Sequence, residues 1–449
     1  MGSSFCCGRL RGGPLKQRWM QTWVAPLNSF AGNRGNRKAG QPELPVTPDP
    51  FTQKHRNGTP LVGLLADPQG CQAVFTHSSK ELYMPITGQD LIVNRANLRE
   101  TQTVQSKFPE TPEDGHCLLR IDRFALTANN ITYAVAPDAM GYWNFFPSDQ
   151  DGFGRVPVWG YAEVIASAHP QIATGTRVYG YLPMSTHLMI QPGKITPFGM
   201  TDIIPHRQEM SPIYNQYSFT SQDPAYAPEH EGLISLLRPL FTTSFLLDDL
   251  HRENDCFGAD TLILSSASSK TAIGVAFLMA RHKPAGLKII GLTSAGNIAF
   301  TESLGCYDQV ITYDAIETLP KTKTAFIDMA GDADTLRRVH GHLDEQLTNS
   351  CRVGLTHWQN ASNYIEGLKG GPKPEFFFAP TYAQQRIKDW TPSGFLERVG
   401  TASTAFFTQA AKWMNISHTN GPDAVQSSYT EMLNGRINPA QGHILSMHS

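Results

Sequence analysis

The sequence is short of charge. Asp, Glu, Lys and Arg make up 17% of its 449 residues, and the net charge is −2. A nucleic-acid-binding surface needs a basic face, and the composition indicates none. Long apolar runs are lacking too, and none approaches the roughly 20 residues that span a bilayer as a helix. No Cys-x-x-Cys occurs. The seven cysteines, Cys6, Cys7, Cys71, Cys117, Cys256, Cys306 and Cys351, are odd in number and scattered. That argues against a disulfide framework and against a zinc cluster. Buried reduced thiols in an intracellular protein are the expectation instead. What is present is 40% hydrophobic and 10% aromatic content, the composition of a folded chain. Its length allows two or three domains and a large core.

Acid is missing from the first 42 residues, and Glu43 is the first. The same stretch carries Arg9, Arg11, Lys16, Arg18, Arg34, Arg37 and Lys38. An Arg-rich, acid-free start resembles an organelle transit peptide, which would direct the chain to a mitochondrion or plastid. Gly2 fits N-terminal acylation, and Cys6 and Cys7 fit a second lipid chain, but Cys6 stands where Ser or Thr is wanted. A loosely basic, disordered leader in a cytoplasmic protein is the third reading, and all three stay open. Residues 40–60 hold Pro42, Pro45, Pro48, Pro50, Gly58 and Pro60, the composition of a linker, so residues 1–60 are read as leader and linker.

Residues 61–250 read as a β-rich domain. Short strand-like segments recur between Gly and Pro punctuation: Leu91–Val93, Cys117–Ile121, Ile131–Val135, Tyr161–Ala166 and Thr176–Tyr181. Tyr142, Trp143, Phe145, Phe146, Phe153 and Trp159 crowd residues 138–160, as core packing or as a binding wall. Residues 199–232 have little periodicity and read as an inserted loop, the kind that serves as a lid. A helical pattern covers Leu233 to Leu250.

Residues 251–372 alternate strand and helix. Thr261–Leu264 is a buried strand, Ser265–Ser269 a turn of small hydroxyl residues, and Ile273, Ala276, Phe277 and Ala280 mark a helix. Further strands are expected within 287–294, 304–314, 324–331 and 350–355, with a helix over Asp334–Leu347. This spacing predicts right-handed crossovers and a parallel, doubly wound sheet, which binds ligands beyond the carboxyl ends of its strands. A helix start there offers free N–H groups to a phosphate. Glycine is scarce in the turn: a nucleoside-triphosphate loop needs it at positions 264 and 269, which are Leu264 and Ser269.

The order of these motifs resembles the zinc-free medium-chain dehydrogenase/reductases, the quinone and enoyl reductase group. The resemblance rests on Trp159-Gly-Tyr-Ala-Glu-Val-Ile-Ala, Gly175-Thr-Arg-Val-Tyr-Gly180, Ala259-Asp-Thr-Leu-Ile-Leu-Ser-Ser-Ala-Ser-Ser269, Ile289-Ile-Gly-Leu-Thr-Ser294, Leu304-Gly-Cys-Tyr-Asp-Gln-Val-Ile-Thr-Tyr313 and Gly435-Arg-Ile-Asn-Pro-Ala-Gln-Gly-His-Ile-Leu445. It spans roughly residues 90–449. It implies an α/β protein with a GroES-like β-rich domain, a Rossmann domain and a C-terminal segment, 373–449, that completes both.

The resemblance also implies sites. Phosphates would be held by Ser266, Ser268, Ser269, Lys270, Thr271 and Gly274, although the family turn is richer in glycine. The second strand ends at Ser294 without the carboxylate that NAD-binding units use on the ribose. Asn297 stands where relatives have a phosphate-binding Lys, and Tyr313 matches their Tyr, so NADP(H) is the expected cofactor. Thr243 and His357 would lie near the nicotinamide. Tyr133, Asn130 and Thr127 are candidates for substrate polarisation or proton donation. Tyr142, Trp143, Phe145 and Phe378 would wall the substrate. The Cys and His ligands of zinc alcohol dehydrogenases are not found, so no metal is expected. The activity implied is hydride transfer from NADPH to an activated C=C or a quinone-like acceptor, a small, apolar or planar molecule. Relatives are often dimers, which leaves a homodimer open. The alternative is a catalytically inactive, reductase-like binding or scaffold protein.

Overall fold

Residues 85–135, 141–223, 226–353, 367–435 and 438–449 are described by the structure, a computed structural model. The leader, the linker, residues 61–84 and His357 lie outside them. The first half consists of short strands: β1 (Ile86–Asn94), β2 (Thr101–Phe108), β3 (Cys117–Leu126), β4 (Phe153–Gly154), β5 (Pro157–Ser167), β6 (Arg177–Pro183), β7 (His187–Ile190), β8 (Pro192–Thr196), β9 (Gly199–Asp202) and β10 (Gln216–Phe219). β1, β2 and β4 form one small sheet. β3, β5 and β6 are the centre of a larger antiparallel one, continued by β10, β9 and β8. Its core holds Leu119, Ile121, Phe124, Val158, Val178 and Leu182, all fully buried.

Two sequence expectations fail in this half. Ile131–Val135 is not a strand but part of helix α1 (Ala128–Val135). Its β-branched and aromatic residues favour a strand, yet a side-chain cap overrides them: the Asn130 Oδ1 accepts from the Thr127 N–H at 2.7 Å. Residues 199–232 are not a loop without secondary structure either. They supply β9 and β10, and the segment between is pinned by the buried pair Arg207–Asp202 at 2.6 Å and by the Tyr217 hydroxyl, which donates to the Tyr181 carbonyl at 2.9 Å.

Helix α2 (Glu231–Glu253) leads into the second half. There β11 (Thr261–Leu264), β12 (Lys288–Thr293), β13 (Gln309–Thr312), β14 (Thr324–Asp328), β15 (Leu347–Arg352) and β16 (Glu375–Phe376) form a parallel sheet in the order β13-β12-β11-β14-β15-β16. This is the doubly wound order. β11 shows why it forms. Leu262 and Leu264 pack on one face with Val275, Ala276 and Met279 of α3 (Lys270–His282), while Ile263 packs on the other with Leu336 and Val339 of α5 (Ala333–Leu343). Between them in the chain lies the short α4 (Ile298–Ser303). A strand apolar on both faces needs a helix layer on each side. β15 begins three residues before the expected position, because Leu347 is itself buried against the sheet.

The chain then runs through α6 (Ala379–Ala410) and α7 (Pro422–Leu433). α6 breaks at Thr391, whose φ of 69° precedes Pro392. Strands β17 (Asn415–Asn420) and β18 (Gln441–Ser446) return to the first half, where β18 pairs with β3. Among the described residues no helix is long and apolar enough to cross a membrane. The four described cysteines, Cys117, Cys256, Cys306 and Cys351, are buried and unpaired.

Candidate functional site

The strand order reverses between β11 and β14, and this is where a doubly wound sheet opens a crevice. The crevice is fixed from below. The Ser265 hydroxyl donates to Asp328 Oδ1 at 2.6 Å and accepts from the N–H groups of Met329 and Ala330 at 2.9 and 3.0 Å. Burial pushes the Asp328 carboxyl up to about 6, against the pull of the Ser265 and backbone hydrogen bonds.

The turn above it differs from a glycine-rich one in a specific way. Ser266 takes the left-handed backbone, φ 48°, that glycine would adopt without strain. Its N–H is already used, donating to the Tyr313 hydroxyl at 2.8 Å. Ser269 caps α3 by accepting from the Ala272 N–H at 3.3 Å. The N–H groups of Lys270 and Thr271 open the helix and have no acceptor within it. Ser268 accepts from Thr293 and from the Asn297 amide at 3.3 and 3.1 Å, which ties the turn to the end of β12. The Lys270 ammonium donates to the carbonyls of Pro439 and Gln441 at 3.3 and 3.0 Å. Burial pulls it down to about 8.

A cleft of about 1970 Å³ runs from this turn into the β-rich half. At that end stands a cluster of rings. Tyr133 and Tyr142 lie 4.5 Å apart between centroids, and Tyr142 meets Tyr214 edge-on at 5.6 Å. Trp159 stacks on Tyr179 at 5.8 Å. The Tyr133 oxygen accepts from the Asn129 amide at 2.6 Å and the Trp159 indole at 3.3 Å. Burial pushes its phenol up to about 12, with those two bonds working the other way. Phe198, Phe376 and Leu396, the exposed large hydrophobics among the described residues, all border this cleft. So does the half of α6 that follows its break.

Of the residues expected in a site, Thr127, Tyr133, Tyr142, Thr243, Ser266, Ser268, Ser269, Lys270, Thr271, Ser294, Asn297, Tyr313 and Phe378 line this one cleft. Four others do not. The Asn130 side chain is consumed by structure, since it accepts from Thr127 and donates to the Pro157 carbonyl at 2.9 Å. Trp143 and Phe145 are 3% and 1% exposed and belong to the β-rich core. Gly274 faces α2, where a Cβ would come within 2.8 Å of the Ser244 Cβ, so it serves close helix packing. Trp159, expected as core packing or binding wall, and Tyr214, from the segment read as a lid, line the cleft, and so do Asn129, Tyr179, Arg238 and Arg338, which sequence reasoning missed. Asn129 alone had a local signal, four residues before Tyr133, once that segment is taken as helical.

The donor set fits a dinucleotide. Two unused helix N–H groups, two hydroxyls and one ammonium, with no carboxylate on the turn, suit a diphosphate. Among the described residues no group of three His, Cys, Asp or Glu is placed to hold a metal ion.

A family model described as protein of unknown function (DUF2855) matches residues 124–438. No curated protein matches the sequence. Solved structures share the fold, two of them as follows. One is CurA of Vibrio vulnificus in complex with NADPH, at 17% identity and a TM-score of 0.53, covering 80% of this chain and 99% of its own. The other is a Mesorhizobium loti protein regarded as an NADPH:quinone reductase, at 10% identity and a TM-score of 0.51, covering 81% and 99%. The likeness to these two structures is one of fold, a β-rich domain joined to a Rossmann sheet.

Proposed function

We propose, for a chain that belongs to the DUF2855 family of proteins of unknown function, an NADPH-dependent oxidoreductase acting on an activated C=C or a quinone-like acceptor. One observation carries this reading: a single cleft joins a diphosphate-type donor set at the Ser266–Thr271 turn to a protonated phenol, Tyr133, inside an aromatic box. The complex of the fold neighbour CurA with NADPH supports the same cofactor here. Residues 61–250 would then form the substrate domain, 251–372 the dinucleotide domain, and 373–449 the segment that completes both.

Bound NADPH would supply the hydride. The chain's own residues do the rest. Ser268, Ser269, Lys270 and the first N–H groups of α3 hold the diphosphate. Ser294 and Asn297 would hold the ribose end without repelling a phosphate, and Thr243 on α2 would serve the nicotinamide half. Tyr142, Trp159, Tyr179 and Tyr214 exclude water and set a planar acceptor face-on. Tyr133 donates its phenolic hydrogen to the acceptor oxygen and polarises it, the role of a general acid in a low-dielectric site.

The test is a titration of the full chain with NADPH and NADH, followed by nicotinamide fluorescence, then NADPH oxidation with a panel of quinones and α,β-unsaturated ketones. Tight NADPH binding with turnover of at least one acceptor is expected. Failure to bind either dinucleotide overturns the reading. Binding without turnover of any acceptor would favour a reductase-like binding protein instead.

A further inference from the structure

We propose that Arg338 is the cation that reads the 2′-phosphate of the cofactor and so sets NADPH above NADH. The inference rests on the reductase reading above. The end of β12, where the ribose hydroxyls are recognised in such sheets, offers only neutral groups: the exposed Ser294 hydroxyl and the Asn297 amide, which is engaged with Ser268. A phosphate dianion held there needs a positive charge from elsewhere. Among the described residues three cations border the cleft: Arg238, Lys270 and Arg338.

Two of the three are placed for other work. Arg238 sits over the Tyr179 ring at 4.9 Å and bonds Asp223 at 2.6 Å, in the aromatic half. Lys270 is at the turn. Arg338, on α5, lies against the loop that follows β13. Its Nη2 donates to the Asp314 carbonyl at 3.4 Å, one residue beyond Tyr313, whose hydroxyl closes the Ser266 N–H. Its Nε and Nη2 also donate to the two carboxylate oxygens of Glu317 at 2.8 and 2.6 Å. The Glu317 side chain is 56% exposed, so this pair is exchangeable, and the guanidinium fork that grips a carboxylate grips a phosphate equally well. Asp314, Asp332 and Asp334 border the same end of the cleft. Without Arg338 a 2′-phosphate would meet a surface of its own sign.

The experiment compares NADPH and NADH dissociation constants for the full chain and its Arg338→Gln, Arg338→Lys and Glu317→Gln variants, read by nicotinamide fluorescence. Losing one charge-assisted phosphate contact should raise the NADPH constant about tenfold or more in Arg338→Gln, with the NADH constant unchanged. Retained NADH binding also reports that the variant is folded. Arg338→Lys should recover part of the preference, and Glu317→Gln should keep or strengthen it. An unchanged NADPH-to-NADH ratio in Arg338→Gln, an equal loss for both, or a wild-type preference for NADH overturns the assignment while leaving the reductase reading standing. Wild-type protein that binds neither dinucleotide overturns both.

Discussion

The side-chain amide of Asn129 donates to the hydroxyl of Tyr133 at 2.6 Å, one turn along the same helix. The Trp159 indole donates to the same oxygen at 3.3 Å. The phenol thus accepts twice, and its own hydrogen is the one left to offer to the cleft. With the phenol pushed up to about 12, that hydrogen stays in place throughout the neutral range. Tyr133→Phe should therefore lower kcat by about 100-fold or more, the range of a lost general acid, with NADPH affinity unchanged. Steady-state kinetics beside a fluorescence titration checks both halves. Unchanged turnover removes Tyr133 from the chemistry.

Asn130 calls for the opposite expectation. Its side chain caps the start of α1 and also satisfies the buried Pro157 carbonyl. Asn130→Ala should destabilise the fold by about 2–4 kcal/mol, the sum of a lost cap and an orphaned buried acceptor. Urea unfolding measures the difference. A loss of turnover with wild-type stability would return Asn130 to the catalytic candidates.

The parallel sheet was the most legible part of the chain. Its central strands β11, β12 and β14 are short apolar runs covered on both faces, and β11 lies at Thr261–Leu264 as its residues suggest. Side chains that reach across the fold left no such trace. Trp159 meets Tyr133 from β5, 26 residues away, and Arg338 meets the loop after β13 from α5. Local pattern failed at α1, where one side-chain cap outweighs strand propensity. It also failed at Tyr142, Trp143 and Phe145. These lie on or beside a single 3₁₀ turn, too short for any periodicity to separate the cleft-facing ring from the two core rings. Ser266 shows a milder limit. The missing glycine suggested divergence of the turn, and the serine adopts the glycine backbone all the same.

Gly274 was expected near the phosphates, and its position predicts a packing effect instead. A methyl group there would press on Ser244 and come within 3.3 Å of the Phe241 ring. The Ser244 hydroxyl cannot retreat freely, since it bonds the Thr271 carbonyl at 2.8 Å and the Leu240 carbonyl at 3.1 Å. Gly274→Ala should lower stability by about 1–3 kcal/mol through overpacking of α2 on α3. Adding Ser244→Gly should recover part of that loss, a coupling that a double-mutant cycle by thermal unfolding would detect. Additive effects would show that the two helices adjust independently.

Lys270 gives the pH dependence. Its ammonium has two carbonyl partners, and burial pulls it from the ordinary lysine value to about 8. A bound diphosphate favours the charged form, so binding takes up a proton wherever the free lysine has lost it. Dinucleotide affinity should accordingly be full below about pH 8 and fall as the pH rises through that value. The sign for folding is the reverse of the usual lysine case. The unfolded chain holds this proton more tightly than the folded one, so the charged lysine opposes folding increasingly as the pH drops from the ordinary lysine range toward 8. Lys270→Met should thus weaken dinucleotide binding by about tenfold near neutral pH, as expected for one charge-assisted contact, and abolish the decline through pH 8. The same variant should unfold at a higher temperature than the wild type at neutral pH. Using NADH beside NADPH removes any contribution from titration of the 2′-phosphate itself. A variant that binds as weakly as expected but keeps the wild-type decline would place the titrating group elsewhere in the cleft. One that binds as tightly as the wild type would show that the carbonyls of Pro439 and Gln441, and not a diphosphate, are what Lys270 is there to hold.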